Sequence, residues 1–233
     1  MVRFQDRLDA GRKLGAHLRS SAPLAGGDPL VLGLARGGVP VAYEVAHRLG
    51  APLDVLVVRK LGVPGHAELA MGAVAAGGTR VINENVVGTL GIPERVIEEL
   101  TRLEAAEIER RERAYRRGLA PHPLAGRSVV VVDDGLATGA SMRAAVAAVR
   151  RAAARRVIVA VPAGAAEACD DLREEADDVI CLTSPEPFLA VGLWYDDFAP
   201  TTDDEVRELL ARAAMERLPE HPAGSREKGE RHA

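Results

Sequence analysis

Two adjacent carboxylates, two glycines and two hydroxyl side chains lie close together in the second half of the chain. The stretch reads Val129-Val-Val-Val-Asp-Asp-Gly-Leu-Ala-Thr-Gly-Ala-Ser141. Backbone N–H groups in such a glycine-containing turn, and the N-terminus of a helix that begins near Ala140, form a binding site for phosphate. Because like charges repel, Asp133 and Asp134 must face another group, and vicinal hydroxyls suit side chains that only accept hydrogen bonds. The stretch therefore predicts a site for a sugar 5-phosphate.

Two further stretches contain residues that could bind an anion. Leu34-Ala-Arg-Gly-Gly38 follows a predicted strand, and its small residues would let the backbone approach an anion closely. Arg59 and Lys60 follow the next predicted strand and supply positive charge. Neither stretch is specific alone, since Gly-Gly often follows a strand and an Arg-Lys pair is more often a solvated edge. Their position after predicted strands, as for the acidic pair, makes them candidates.

Aromatic side chains cluster near the C-terminus, in a chain of which only 3% is aromatic. The segment Phe188-Leu-Ala-Val-Gly-Leu-Trp-Tyr-Asp-Asp-Phe198 contains four of them together with an aspartate pair. One interpretation is a stacking platform for a flat ring, for which Phe188 and Trp194 are the candidates. The other interpretation is a small satellite core under a loop. The sequence leaves both open.

The hydrophobic pattern predicts the elements that would position these residues. Unbroken β-branched runs predict buried strands at 128–133 and 156–161, with an alanine-rich helix at 140–154 between them. The same strand–helix–strand order occurs at 30–58, and a fifth strand is expected at 178–182. This alternation favours an α/β, doubly wound, mostly parallel five-stranded sheet with helices on both faces. Ligands of such sheets bind at the carboxyl ends of the strands, which would bring the acidic and basic stretches to one edge.

The rest of the chain is predicted to elaborate this sheet. Residues 61–118 are expected to form a flap or hairpin with an edge strand at 79–83, followed by a long helix whose charged second half is solvated. A capping-box pattern at 202–205 begins a last helix that ends near Leu218. The tail at 219–233 lacks large apolar residues and is expected to be disordered.

Composition excludes several classes of protein. The 233 residues carry a net charge of −4 and are 47% hydrophobic, which is typical of a soluble globular chain. A mildly acidic chain without a basic, aromatic-rich patch is not expected to bind nucleic acid. The chain shows neither an apolar run long enough to span a membrane nor an N-terminal signal, so a cytoplasmic protein without membrane contacts is expected. Cys169 and Cys181 lack the spacing of a disulfide framework and are expected to be reduced thiols.

The acidic stretch resembles the phosphoribosyl diphosphate (PRPP) binding signature of the type I phosphoribosyltransferases. It differs from the commonest form of that signature at Ala140, where many members have glycine, and at Ser141, where threonine is usual. Both differences keep a small residue or a hydroxyl and are compatible with phosphate binding. With the Arg-Gly-Gly and Arg-Lys-Leu-Gly stretches, the sequence from about Phe4 to Leu218 is most similar to a group of bacterial predicted phosphoribosyltransferases.

The resemblance implies a role for each stretch. Residues 1–218 would form one phosphoribosyltransferase domain, in which 183–200 form a hood over the acceptor pocket. The ribose hydroxyls would bind Asp133 and Asp134, and the 5-phosphate would bind the turn that follows: Gly135, Leu136, Ala137, Thr138, Gly139, Ala140 and Ser141. The diphosphate would bind Arg36, Gly37, Gly38, Arg59 and Lys60, and the acceptor base would bind Phe188, Trp194 and Asp196. Mg²⁺ would be held mainly through PRPP, without a dedicated protein metal site.

The resemblance also implies an activity. The protein would be an enzyme of nucleotide salvage that transfers the 5-phosphoribosyl group of PRPP to a nitrogenous base and releases pyrophosphate. Ala137 stands where 6-oxopurine-specific members usually have an aspartate that acts on the base, whereas adenine and orotate enzymes have alanine. The acceptor therefore stays open, and the alternative is a non-catalytic PRPP-binding sensor. A homodimer is expected by analogy with the family.

Overall fold

A computed structural model describes residues 3–20 and 28–216 of the chain. The α-helices in this part are α1 (Arg7–Ser20), α2 (Gly38–Leu49), α3 (Glu84–Leu90), α4 (Glu94–Arg116), α5 (Ala140–Arg151), α6 (Ala166–Leu172) and α7 (Asp203–Glu216). The strands are β1 (Pro29–Leu34), β2 (Leu53–Leu56), β3 (Arg59–Val63), β4 (His66–Ala75), β5 (Thr79–Ile82), β6 (Ser128–Val132), β7 (Arg156–Ala163) and β8 (Asp178–Thr183). The predicted disordered tail at 219–233 lies outside the described residues. Within the described ranges, every helix is too short or too polar to cross a lipid bilayer.

The main sheet has five strands in the order β2-β1-β6-β7-β8. Each neighbouring pair is parallel, with Val31 opposite Val130 and Val130 opposite Ile158 in the centre. The predicted α/β, doubly wound, five-stranded sheet is confirmed, and it is parallel throughout. From the central pair β1 and β6, the strand order runs outwards to β2 on one side and to β7 and β8 on the other. The loops that follow β1 and β6 therefore flank a topological switch point, where ligands of such folds bind.

The two faces of the main sheet are covered by different helices. Successive side chains of a strand point to opposite faces. Val130 and Val132 pack in the layer that includes α1, α2 and α7, whereas Val129 and Val131 pack in the layer that includes α5 and α6. Every residue of β6 is buried, which explains why its sequence is an unbroken apolar run.

Helix α1 packs closely across α2, and two glycines make the approach possible. A Cβ atom at Gly11 would lie 2.6 Å from the carbonyl oxygen of Val41, and one at Gly15 would lie 2.9 Å from Cβ of Arg48. Larger residues would force the helices apart, because packed interiors leave no spare volume. The crossing brings Arg7, at the start of α1, to the edge of the sheet where β6 ends.

The region predicted as a flap or hairpin forms a second sheet of three antiparallel strands, in the order β3-β4-β5. Strand β5 corresponds to the predicted edge strand. Ala73 and Ala75 of β4 pack against Ala144 and Ala148 of α5. These small side chains allow the second sheet to lie close to the helix. Its action as a flap during a reaction stays a prediction.

The prediction that the second half of α4 is solvated is wrong for one of its faces. Ile108, Glu112 and Tyr115 are buried there. Arg116 donates from Nε to Asp54 at 2.8 Å and from Nη1 to Glu112 at 3.0 Å. Burial raises the pKa of the Glu112 carboxyl, although the positive charge of Arg116 opposes the rise. This buried network of ion pairs attaches the end of α4 to β2.

Cys169 and Cys181 are joined by a disulfide bond, so the prediction of two reduced thiols is wrong. Cys169 lies in α6 and Cys181 in β8, with a sequence separation of 12. Both side chains belong to the layer between α6 and the sheet, which brings the sulfur atoms together although their spacing in the sequence gives no signal. A Cβ atom at Gly164 would lie 2.7 Å from Sγ of Cys169, so the bond fills the space beside this glycine.

Candidate functional site

The two loops at the switch point of the main sheet are in direct contact. The glycine loop, residues 35–38, follows β1 and has a cis peptide as its first bond, and the acidic turn, residues 133–139, follows β6. A Cβ atom at Gly37 would lie 2.1 Å from Oδ2 of Asp134, and one at Gly38 would lie 2.6 Å from a carbonyl oxygen of β6. Glycine at both positions is what allows the loops to lie together. The structure thus brings together the acidic and the Arg-Gly-Gly stretches of the sequence.

The acidic turn is held by the backbone of the neighbouring strand on one side and is open on the other. The N–H of Leu136 donates to the carbonyl oxygen of Ala163 at 2.9 Å, and the carbonyl of Leu136 accepts the N–H of Ala165 at 2.8 Å. Gly139, with φ of 74°, then directs the chain into α5 without a side-chain cap. The exposed residues beside this helix end are Ala137, Thr138 and Ala140. An anion can therefore reach the unpaired N–H groups and the positive end of the helix dipole.

The two carboxylates of the acidic turn are half-buried and adjacent. Oδ1 of Asp133 accepts the N–H of Asp134 at 2.8 Å. Burial raises the pKa of Asp133 well above its usual value, and the charge of Asp134 raises it further. Burial also raises the pKa of Asp134, although Arg7 opposes the rise. The pair therefore holds negative charge at an energetic cost, which hydrogen bonds from ligand hydroxyls would offset.

Arg7 contacts the acidic turn although no sequence pattern indicates it. Its Nε and Nη2 atoms lie 2.9 and 2.8 Å from Oδ2 of Asp134. Its Nη1 atom donates to the carbonyl oxygen of Ala199 at 2.7 Å, and the guanidinium carbon lies 3.9 Å from the ring centre of Phe198. The Tyr195 hydroxyl also donates to the backbone oxygen of Asp134. Because 127 residues separate Arg7 from Asp134, a local pattern could not have revealed the contact.

Two of the cations predicted to bind diphosphate are paired with acidic side chains of helices. Arg36 is exposed, and its Nη1 atom lies 3.5 Å from Oδ1 of Asp203 at the start of α7. Arg59 is half-buried at the start of β3 and pairs with Glu104 of α4. Lys60 is exposed and has no ion-pair partner within the described part of the chain. Binding of diphosphate by these residues stays a prediction, since Arg36 and Arg59 would have to exchange their present partners for it.

The aromatic segment forms a small core, which was the second of the two sequence interpretations. Trp194 and Tyr195 are buried in it. The ring centre of Tyr195 lies 5.5 Å from that of Phe4, and the ring centre of Phe188 lies 6.3 Å from that of Trp194. The buried Nε1 atom of Trp194 has no hydrogen-bond partner among the described residues. Phe188 is half-buried, and its predicted stacking on an acceptor base stays a prediction.

The hood segment, residues 183–200, lies directly on the acidic turn. A Cβ atom at Gly135 would lie 2.4 Å from Cγ1 of Val191, so the contact depends on glycine in the turn. Asp196 is exposed, and its Oδ1 atom lies 3.3 Å from Nε of Arg3. Its backbone N–H donates to the carbonyl oxygen of Phe4 at 2.8 Å. The hood thus connects the N-terminal segment with the acidic turn, and contact between Asp196 and a base stays a prediction.

The acidic pair is the part of the site that could contact a divalent cation. Within residues 3–20 and 28–216, no group of three or more His, Cys, Asp or Glu side chains is placed to hold a metal ion. Mg²⁺ commonly binds through one or two carboxylates together with substrate phosphates and water. Asp133 and Asp134 are compatible with that mode, in which the ligand supplies most of the oxygen atoms.

Comparisons with known proteins agree with this geometry. The crystal structure of TT1426 from Thermus thermophilus matches with a TM-score of 0.77 and 44% sequence identity, covering 90% of this chain and 98% of that chain. Two Mycobacterium tuberculosis proteins, from strains CDC 1551 and H37Rv, are named "Putative phosphoribosyl transferase MT0597" and "Putative phosphoribosyl transferase Rv0571c". Each is 48% identical over 213 residues, which are 91% of this chain and 47% of the relative, so the chain spans about half the length of these curated relatives.

A family model covers most of the chain. The phosphoribosyl transferase domain matches residues 3–195, a range that contains the glycine loop, the second sheet, the acidic turn and the first part of the hood. The chain belongs to the phosphoribosyl transferase domain family.

Proposed function

We propose that the protein transfers the 5-phosphoribosyl group of PRPP to a nitrogen atom of a base and releases pyrophosphate. The direct contact between the acidic turn and the glycine loop at the switch point carries the proposal. PRPP has an anionic group at each end of its ribose and two hydroxyls between them. The start of α5, the acidic pair and the glycine loop offer complementary groups in the same order along the sheet edge.

The acidic turn supports binding of the phosphoribosyl end of PRPP. The N–H groups at the start of α5 would bind the 5-phosphate, with the hydroxyls of Thr138 and Ser141 as further donors. Asp133 and Asp134 would accept hydrogen bonds from the ribose hydroxyls. Such bonds favour the ionised carboxylates and offset the burial that raises the pKa of both groups.

The reaction breaks the bond between ribose C1 and the diphosphate oxygen, and the oxygen leaves with the bonding electrons. A lone pair of the acceptor nitrogen forms the new bond to C1, and a protonated nitrogen then releases its proton to solvent. The chain would contribute by aligning the reactants and by stabilising charge. Arg36 and Arg59 would stabilise the leaving group once they exchange Asp203 and Glu104 for it. Mg²⁺, held mainly through the oxygen atoms of PRPP, would neutralise part of the diphosphate charge.

A second candidate function is sensing of PRPP without transfer. Ala137 is exposed in the acidic turn, and its methyl group can neither donate a proton to an acceptor base nor accept one. A sensor would bind PRPP through the same turn and the same acidic pair. It would release no pyrophosphate, whatever base was supplied.

The test measures binding and turnover separately. Calorimetric titration with PRPP and Mg²⁺ compares the unaltered protein with the double variant Asp133→Asn/Asp134→Asn, which should not bind. The double variant Asp170→Asn/Asp171→Asn is the matched control, because this acidic pair is exposed on α6 and should leave binding unchanged. Undiminished affinity in the first variant would overturn the proposal.

Turnover then distinguishes the transferase from the sensor. Pyrophosphate release is followed with PRPP, Mg²⁺ and a panel of purine and pyrimidine bases. Release that depends on one of the bases supports the transferase. Tight binding of PRPP without release from any base in the panel would favour the sensor.

A further inference from the structure

The side chain of Arg7 occupies a buried corner formed by three parts of the chain. Each nitrogen of its guanidinium has an acceptor, since Nε and Nη2 contact Asp134 and Nη1 contacts Ala199. Its flat face covers the ring of Phe198. Only 12% of the side chain is exposed. These contacts together hold the guanidinium in one position.

Stability alone is a poor explanation for this ion pair. The free energy needed to remove two charges from water is about as large as the free energy gained from their attraction. Buried ion pairs therefore add little to the stability of the folded state. The exposed pair of Arg113 and Glu109 on α4 carries no such cost. A buried arginine on a carboxylate of the candidate site therefore calls for a role in that site.

The bonding of the two carboxylates indicates this role. Asp133 uses Oδ1 to accept the N–H of Asp134, and Asp134 uses Oδ2 to accept the Nε–H of Arg7 and to pair with its Nη2 atom. Oδ2 of Asp133 and Oδ1 of Asp134 accept no hydrogen bond from any other described residue. Each acid thus keeps one carboxylate oxygen for a ligand, and two such acceptors on adjacent residues are complementary to a vicinal diol.

We propose that Arg7 is a positioning residue for PRPP, which fixes the Asp134 carboxylate so that the acidic pair offers one oxygen from each residue to the ribose hydroxyls. This inference rests on the proposed function. Arg7 also connects the hood to the acidic pair, because the same guanidinium contacts Phe198 and Ala199. Without Arg7, the Asp134 carboxylate would lose the hydrogen bond and the ion pair that determine its orientation.

Groups on three elements determine the charge of Asp134. Asp133 on the same turn, Arg7 on α1 and Tyr195 of the hood face it. Burial raises the pKa of Asp134, and Arg7 opposes the rise. A neutral residue in place of Arg7 must therefore raise this pKa further. On acidification, the Asp134 carboxylate would then become protonated at a higher pH than in the unaltered protein. PRPP binding should therefore weaken at neutral pH and recover in alkaline solution.

The test compares three substitutions in the full chain. Arg7→Met keeps the apolar stem and removes the charge, whereas Arg7→Lys keeps the charge without the planar fork. Arg12→Met is the control, because Arg12 lies in the same helix, has a side chain that is 40% exposed and lies 3.5 Å from Glu44. Calorimetry measures the affinity for PRPP with Mg²⁺ from mildly acidic to alkaline pH, and thermal unfolding establishes that each variant is folded.

Arg7→Met should weaken PRPP binding at neutral pH by at least about tenfold, the loss expected for one charge-assisted hydrogen bond. The midpoint of its pH profile should shift upwards. Arg7→Lys should restore part of the affinity and move the midpoint back, and Arg12→Met should change neither. In the ligand-free protein, NMR titration of the carboxyl carbons should show a higher midpoint for the acidic pair in Arg7→Met.

A folded Arg7→Met variant with unchanged affinity and an unchanged pH profile would overturn the inference. If the unaltered protein itself does not bind PRPP, the proposed function is overturned and this inference with it. The two failures are distinguishable, because only the first leaves PRPP binding by the unaltered protein intact.

Discussion

Substitution of Gly38 by alanine tests whether the glycine loop must lie against β6. Gly38 begins α2, and within a helix alanine is favoured over glycine by about 1 kcal/mol. A Cβ atom at this position would lie 2.6 Å from the carbonyl oxygen of Val132 and 2.8 Å from Cα of Asp133. Both are backbone atoms, so rotation of a side chain cannot relieve the overlap. The substitution should therefore destabilise the protein despite the better helix propensity of alanine.

The magnitude follows from the two opposing effects. An extra methyl group in a packed interior costs about 1–3 kcal/mol. The separation of 2.6 Å from a backbone oxygen is far inside van der Waals contact, so the upper part of that range applies. Subtracting the gain in helix propensity, which is at most about 1 kcal/mol, leaves an expected loss of about 2 kcal/mol in the free energy of unfolding. PRPP affinity should fall as well, because the overlap pushes the glycine loop away from the acidic pair.

Urea unfolding followed by circular dichroism measures the change in stability. Gly88→Ala is the matched control, because Gly88 lies inside α3 and a Cβ atom there would meet nothing within 4 Å. The control should be neutral or stabilising by up to about 1 kcal/mol. If Gly38→Ala shows the same gain as the control, the close contact between the glycine loop and β6 is refuted.

Three further outcomes are expected. Asp133→Asn should stabilise the ligand-free protein at neutral pH. The native state holds the Asp133 proton more tightly than the unfolded chain does, so the unaltered protein loses stability as the pH rises through the raised pKa of Asp133. Urea unfolding should show that the gain in the variant vanishes in strong acid. Arg116→Met should lower the free energy of unfolding by about 3–5 kcal/mol, because it leaves the buried Asp54 and Glu112 without their counter-charge. Cys181→Ser should lower it by about 3 kcal/mol, the entropy expected for a cross-link that closes a short loop.

Each of these outcomes has a control. Asp171→Asn, on the exposed side of α6, should not show the pH-dependent gain, and its appearance in both variants would contradict the reason given for Asp133. Arg113→Met, whose side chain is 73% exposed, should cost far less than Arg116→Met. A reductant should lower the unfolding temperature of the unaltered protein but not that of Cys181→Ser, and equal responses would contradict the disulfide.

The acidic turn and its flanking elements could be predicted because their signals are local. The valine run of β6 has the length and composition of a fully buried strand, and the alanine-rich stretch after Gly139 has helical spacing. The arrangement of the main sheet follows from the alternation of strands and helices, since right-handed crossovers leave few topologies. The position of the acidic pair at the sheet edge is a consequence of both.

The second sheet and the disulfide depend on contacts that local patterns do not encode. Strand β4 contains four alanines and one glycine, residue types that are depleted in strands, and the segment therefore resembles a loop. Its Ala73 and Ala75 are nonetheless what allows close packing on α5. Cys169 and Cys181 meet because α6 packs against the main sheet on the face from which the side chain of Cys181 in β8 projects.

Long-range ion pairs determine the electrostatics of the candidate site, and the sequence alone does not reveal them. Arg7, Glu104 and Asp203 each pair with a predicted site residue, but they come from helices distant in sequence. The charged half of α4 reads as solvated in the sequence because Glu112 and Arg116 have the i,i+4 spacing typical of a surface pair. Their burial becomes visible only when the helix is packed against β2.

A crystal structure of the protein with PRPP and Mg²⁺ tests the proposed site most directly. We expect the 5-phosphate at the N-terminus of α5, the ribose hydroxyls on Asp133 and Asp134, and the diphosphate along the glycine loop. Binding of PRPP elsewhere on the molecule, with the acidic pair free of any ribose hydroxyl, would contradict the function proposed for this chain.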